Sequence, residues 1–178
     1  PHAASKSLVI DTSFDLKTID PGRAFEPTGA ILDHVLYQTL LDFAGGDVSK
    51  PVAGLASFAF SNDDKVMTLT MKGGSKFSDG TPVTVDDAVF SLKRLQGLQG
   101  NPSFLLAGVT VAKTSATTMT LTSATPNPTL AYILQNPSLG ILNSKLVMKH
   151  GGTTDQNDKA QSFLDSTSAG SGPYELES

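Results

Sequence analysis

The sequence has 178 residues, of which 39% are hydrophobic and 17% charged, with 16 glycines, no cysteine and a formal net charge of -4. This composition excludes intrinsic disorder, disulfides, thiolate metal sites and cysteine nucleophiles, and the length suits one core or a domain with a subdomain. The basic residues are scattered, which disfavours nucleic-acid binding, and no apolar run approaches the ~20 residues needed to cross a bilayer.

Pro1 to Ser7 lack the apolar stretch of a signal peptide, so an exported protein would begin here in its mature form. Leu8-Val9-Ile10 is a β-branched run that predicts a buried strand delivered into a polar loop at Asp11-Thr12-Ser13. Ile31, Leu32, Val35, Leu36, Leu40 and Leu41 recur with helical spacing and predict a helix from about Gly29 to Asp42, stopped by Ala44-Gly45-Gly46-Asp47. Leu55 to Phe60 and Val66 to Met71 predict a hairpin around Ser61-Asn62-Asp63-Asp64-Lys65. Thr84-Val85-Asp86-Asp87 has the pattern of a capping box, and Val85, Val89, Leu92 and Leu95 share one helical face. Lys93 and Arg94 then fall near the carboxyl end, where positive charge is favoured. Val109 to Ala112 and Met119 to Leu121 predict a second hairpin, Thr129 to Gln135 a short helix, His150 to Asp158 an exposed loop and Ala160 to Leu164 a helical turn. Gly170 to Leu176 reads as a turn feeding a strand that has barely begun.

Chemistry-bearing constellations are sparse. His2, His34 and His150 lack partners at metal-site spacing, so no metal and no cofactor is expected. There is no Gly-x-Ser-x-Gly, and Gly73-Gly74 and Gly151-Gly152 lack the lysine and hydroxyl of a phosphate-binding loop. Asp86 and Asp87 point about 100° apart on a helix, which suits dipole complementarity better than acid–base catalysis. In Phe77-Ser78-Asp79-Gly80-Thr81-Pro82, turn chemistry accounts for each residue and aims the following helix. The chain is therefore not expected to be an enzyme.

Four stretches together are more specific than any single motif: Thr18-Ile19-Asp20-Pro21; Leu55-Ala56 leading to Asp63 and Thr68; Phe77 to Asp87 running into Phe90-Ser91-Leu92-Lys93-Arg94; and Gly170-Ser171-Gly172-Pro173-Tyr174. In this the sequence resembles family 5 of the bacterial extracellular solute-binding proteins, the oligopeptide, dipeptide and nickel group. It departs from the family's usual residues at Phe58 (tryptophan), Asp64 (glycine), Lys72 (arginine) and Ser78 (histidine), changes that alter packing or turn detail and leave the layout intact.

The resemblance implies an α/β fold, lobe I of a type II periplasmic-binding-protein architecture with an inserted α+β subdomain. Residues 1–46 would open the lobe, 47–167 would form the subdomain of two hairpins plus helices, and 168–178 would return as a strand. The second lobe, which carries the acid that holds a peptide's amino terminus, would be missing. The implied function is capture of a peptide or similar small solute outside the cytoplasm, in the periplasm or as a cell-surface lipoprotein, by hinge closure, with an ABC permease in the membrane as partner. The loop after the first strand lines the cleft in the family, which puts Phe14, Asp15, Leu16 and Lys17 forward for ligand contact, or else as an ordinary surface loop. Phe104 would stack on a ligand side chain or pack in the core, with core favoured. The alternative function is a stand-alone or self-associating interaction domain.

Overall fold

A computed structural model of the chain describes residues 7–11, 13 and 15–177. Both predicted hairpins form, and they join through their inner strands. Strands β3 (Ala56–Phe60), β4 (Val66–Met71), β5 (Val109–Lys113) and β6 (Thr118–Ser123) make one antiparallel sheet in the order β3-β4-β6-β5. Alternation decides which face is buried: Met67 and Leu69 of β4 lie beside Leu121 and Met119 of β6, all fully buried, while Thr68 and Thr70 pair with Thr120 and Thr118 on the other face. Asp64 closes the first hairpin at φ +53°, a backbone state that costs a side chain roughly 1–2 kcal/mol and that the resemblance assigns to glycine.

Helix α2 (Val85–Leu98) packs Val85, Ala88, Leu92 and Leu95 onto that sheet. Its start is fixed as the sequence predicts: Thr84 N and Oγ1 donate to Asp87 Oδ2 at 2.9 and 2.6 Å, and Thr84 Oγ1 accepts from Asp87 N at 3.5 Å. The other Asp87 oxygen accepts Ser144 N and Oγ at 3.0 and 2.6 Å, so one carboxylate caps α2 and docks the start of α4 (Ser144–Lys149). Asp86 instead pairs with Lys113 at the surface. The turn before the helix is tied down as a unit. Asp79 accepts from Thr81 and from Asn143 Nδ2, and Ser78 N donates to the Gly170 carbonyl at 3.1 Å.

Several expectations are corrected. The first helix, α1, covers Pro27–Leu36 and does not continue to Asp42. Leu40 and Leu41 belong to the sheet's core, and β1 (Leu41–Ala44) pairs with β2 (Asp47–Ala53), so Gly45 and Gly46 turn a hairpin instead of ending a helix. Leu8-Val9-Ile10 does not form the predicted buried strand, with Leu8 51% and Val9 86% exposed. The segment 174–177 likewise forms no strand. The loop 150–158 is exposed over much of its length, yet Asp158 at its end is buried. Arg94 is fully buried, so its charge does not sit at the helix end to complement the dipole.

A second apolar cluster lies beside the first. Ile19, Leu36 and Tyr37 meet Leu142, Val147, Ala160, Leu164 and Ala169, the last five delivered by α4, by α5 (Gln161–Leu164) and by the segments flanking them. Between the hairpins and α4, a short α3 (Leu130–Ile133) occupies part of the predicted 129–135 helix. The return segment then presses on α1: Gly172 N donates to the Leu36 carbonyl at 3.0 Å. A Cβ on Gly172 would lie 2.3 Å from the Val35 carbonyl oxygen, so only glycine fits this approach.

Candidate functional site

Asp15, Leu16 and Lys17 are exposed, and the next three residues, Thr18, Ile19 and Asp20, are buried. Phe14 lies outside the described residues. The change within one residue follows from what anchors the loop. Thr18 Oγ1 and Ile19 N both donate to Asp165 Oδ1, at 2.5 and 3.0 Å. Asp20 turns the chain locally: its side chain accepts Gly22 N at 3.1 Å and its carbonyl accepts Arg23 N and Ala24 N at 2.9 and 2.8 Å.

The Asp20 carboxylate also meets Arg94 of α2 as a two-pronged pair, Nη1 to Oδ1 at 2.7 Å and Nη2 to Oδ2 at 2.6 Å. The remaining side of the guanidinium goes to Asp158, Nε to Oδ2 at 2.8 Å and Nη2 to Oδ1 at 2.9 Å. Arg23 adds a partly exposed cation, 3.3 Å from Asp20 and 3.2 Å from Asp158. Two carboxylates and two guanidiniums thus meet in one cluster, and each guanidinium nitrogen of the buried Arg94 has an acceptor, the condition under which buried ions are tolerated. Burial alone would pull the Arg94 pKa down, but the hydrogen bonds it donates to Asp20 and Asp158 hold it above its ordinary value. Burial likewise works against the charged form of Asp158, and the bond from Arg94 overrides it to lower that pKa.

A contrasting group lies nearby. Asp33 on α1 is 1% exposed, and among the described residues neither its carboxyl oxygens nor the buried Tyr37 hydroxyl, one turn on, has a hydrogen-bond partner. Burial, reinforced by the charges of Asp20, Glu26 and Asp165, pushes the Asp33 pKa up to about 9, so it is neutral at pH 7. It is the uncharged member of an acid-rich neighbourhood whose one buried cation is already committed.

Phe104 is 59% exposed, which corrects the preference for a core position. The segment Asn101–Leu106 is a 3-10 helix, in which residues three apart eclipse, and it turns Pro102 and Leu106 inward while Phe104 faces out. The ring meets Phe25 edge to face at 5.3 Å. Phe25 and Phe104, from separate segments, thus form an exposed aromatic pair. Elsewhere, His34 is exposed on α1, and His150 stacks on Phe163 at 3.8 Å. Among the described residues no three His, Cys, Asp or Glu side chains gather as a metal site. An open groove of about 590 Å³ runs over Leu32, Val35 and Leu36 of α1, between residues 7–10 and 174–177.

Sequence reasoning missed Asp20, Asp158 and Asp165 as anchors of the loop. A signal was present for one partner: Arg94 stands on α2 between Ser91 and Leu95, inside the stripe that must be buried, and an arginine there requires acids from other segments.

The chain is similar in sequence and fold to known proteins. The description "Bacterial extracellular solute-binding proteins, family 5 Middle" matches residues 50–178. The chain is 31% identical over 184 residues to the "Probable D,D-dipeptide-binding periplasmic protein DdpA" of Escherichia coli, covering 99% of this chain and 35% of that protein. The periplasmic oligopeptide-binding protein OppA of Salmonella typhimurium is 32% identical over 95 residues, covering 52% of this chain and 17% of that protein. Among solved structures, MoaA from A. tumefaciens in complex with mannopinic acid superposes with a TM-score of 0.77 at 26% identity, over 92% of this chain and 33% of that one. NikZ from Campylobacter jejuni in complex with Ni(L-His) gives 0.76 at 20% identity, over 92% and 31%. The fold is thus part of a type II periplasmic binding protein, and the chain spans 35% of the length of DdpA. Both curated relatives are named as binding proteins.

Proposed function

The chain belongs to family 5 of the bacterial extracellular solute-binding proteins, and from that premise we propose that it forms the solute-capturing first lobe of an ABC importer's binding component, acting outside the cytoplasmic membrane on a peptide or a solute of similar size. The observation that carries this reading is the abrupt passage from exposed Asp15, Leu16 and Lys17 to the buried anchor at Thr18, Ile19 and Asp20. A binding loop has to be reachable and yet held still, because each residue frozen on binding costs about 0.5–1.5 kcal/mol for a rotamer-rich side chain. Here the cost of holding the loop's exit is met within the fold, by Arg94, Asp158 and Asp165.

Residues 1–46 and 168–178 form the lobe in this reading, and residues 47–167 the inserted subdomain. The return of residues 172–174 to the carbonyls of Val35 and Leu36 ties the two outer stretches together, which supports that division. The solute lies against backbone groups of the loop and against Phe104, and a second lobe closes over it. Contacts made only in the closed form shift the population toward closure. A permease in the membrane then receives the solute. The self-associating alternative is not favoured by the comparisons, since the named relatives are solute-binding proteins.

The test is calorimetric titration of the natural-length protein with di- and tripeptides, paired with small-angle scattering. Binding accompanied by a smaller radius of gyration is expected. Peptide binding with no change in radius would remove hinge closure, and the absence of binding to any peptide would remove the peptide class.

A further inference from the structure

We propose that Phe25 and Phe104 form an apolar step that receives an uncharged, apolar side chain of the bound solute; this rests on the reading above that the loop 15–17 surface faces the solute. Single exposed apolar residues are ordinary on protein surfaces. This pair differs because two aromatic rings, 42% and 59% exposed, come from separate segments and meet edge to face at 5.3 Å with an interplanar angle of 88°.

Neither backbone is free to move the rings away. On one side, Ala24 is 1% exposed and its carbonyl accepts Ser138 Oγ at 2.8 Å, while Phe25 N donates to Glu26 Oε2 at 3.1 Å. On the other, Leu106 is fully buried with its carbonyl bonded by Gln96 Nε2 at 2.9 Å, and Ser103 Oγ donates to the Gly100 carbonyl at 2.7 Å. The step also adjoins the loop's exit: a Cβ built on Gly29 would lie 3.0 Å from Ala24 Cβ and 3.2 Å from the Thr18 carbonyl oxygen, so the Phe25 segment and the loop pack on the same point of α1.

The chemistry of the occupant follows from the flanking charges. Arg23 spends its guanidinium on Asp20 and Asp158, and Glu26 directs one oxygen to the backbone while the other is buried. Arg23, though partly exposed, and Glu26 are thus engaged within the fold, and the rings themselves present a neutral apolar surface. An aliphatic or aromatic side chain gains from such a surface, whereas a charged one loses hydration without an ionic partner.

The experiment compares Ala-Phe-Ala with Ala-Ala-Ala by calorimetry on the natural-length protein and on its Phe25→Ala, Phe104→Ala and Phe25→Leu variants, with thermal unfolding to show that each variant keeps its fold. Wild type should prefer Ala-Phe-Ala by about tenfold or more, the scale of burying one aromatic ring. Either alanine variant should reduce the preference to within about threefold by weakening Ala-Phe-Ala more than Ala-Ala-Ala, and Phe25→Leu should retain most of it. Equal affinities in wild type, or a preference indifferent to both alanine variants, would overturn the proposal and leave the solute-binding reading standing. Failure of every peptide to bind would overturn both.

Discussion

Replacing Asp33 by asparagine tests whether a buried acid is kept neutral at a measurable cost. The folded pKa of about 9 lies some five units above the ordinary value of 3.8, with burial the main cause and the charges of Asp20, Glu26 and Asp165 adding to it. Because the folded state holds a proton that the unfolded chain releases, stability should be highest below about pH 4 and fall as pH rises toward 9. The slope is about 1.4 kcal/mol per pH unit, so at pH 7 the penalty is on the order of 4 kcal/mol as an upper bound. Asparagine keeps the shape and cannot ionise. Urea unfolding followed by circular dichroism at pH 4.5, 6, 7.5 and 9 should show Asp33→Asn near parity with wild type at pH 4.5 and about 1–4 kcal/mol more stable at pH 7.5. A difference that does not change with pH, or an asparagine variant less stable than wild type at pH 7.5, would show that Asp33 is charged and paired, and the reasoning would fail.

Three further outcomes are accessible to the same unfolding assay. Arg94→Met should cost about 3–5 kcal/mol, since Asp20 and Asp158 would be left buried without their cation, and the loss should be larger near neutral pH than in acid, because the guanidinium lowers the Asp158 pKa. Asp64→Gly should stabilise by roughly 0.5–1 kcal/mol by relieving the φ of +53° in the first hairpin turn; destabilisation would show that the aspartate side chain contributes more there than the strain costs. Gly97→Ala should destabilise by about 1–3 kcal/mol, because the new methyl group would lie 1.9 Å from the Thr154 carbonyl oxygen; an unchanged urea midpoint would mean that the 150–158 loop yields at no cost.

The hairpins and α2 were legible because their determinants are local. Alternation at Val66 to Met71 and a hydroxyl three residues before an acid at Thr84 act within one turn or one strand pair, and the structure keeps them. The end of α1 was not legible, since Leu40 and Leu41 continue the helical spacing of Leu32 and Leu36 while packing into a different cluster; only the tertiary core separates them. Strand β2 gave no alternation to read because most of it is exposed, and Pro51 lies within it. Of the site, the position of the loop came from the resemblance to the family, whereas its anchors depend on Asp20, Arg94 and Asp158 meeting across widely separated segments, which no local window contains. Phe104 was placed wrongly because an aromatic residue carries no mark of the 3-10 segment that turns it outward.

The guanidinium of Arg94 ties the exit of the loop to the middle of α2 and to the far loop before α5 through contacts that are all fully desolvated. A solute that tightens Asp15 to Lys17 therefore pulls on a joint shared by three remote stretches of chain. If the proposed capture is right, its binding energy should register as slower hydrogen exchange on α2 and around Asp158, segments that hold the loop without belonging to it. The same joint makes the traffic two-way, so that loosening α2 would weaken the grip on the solute by an equal amount.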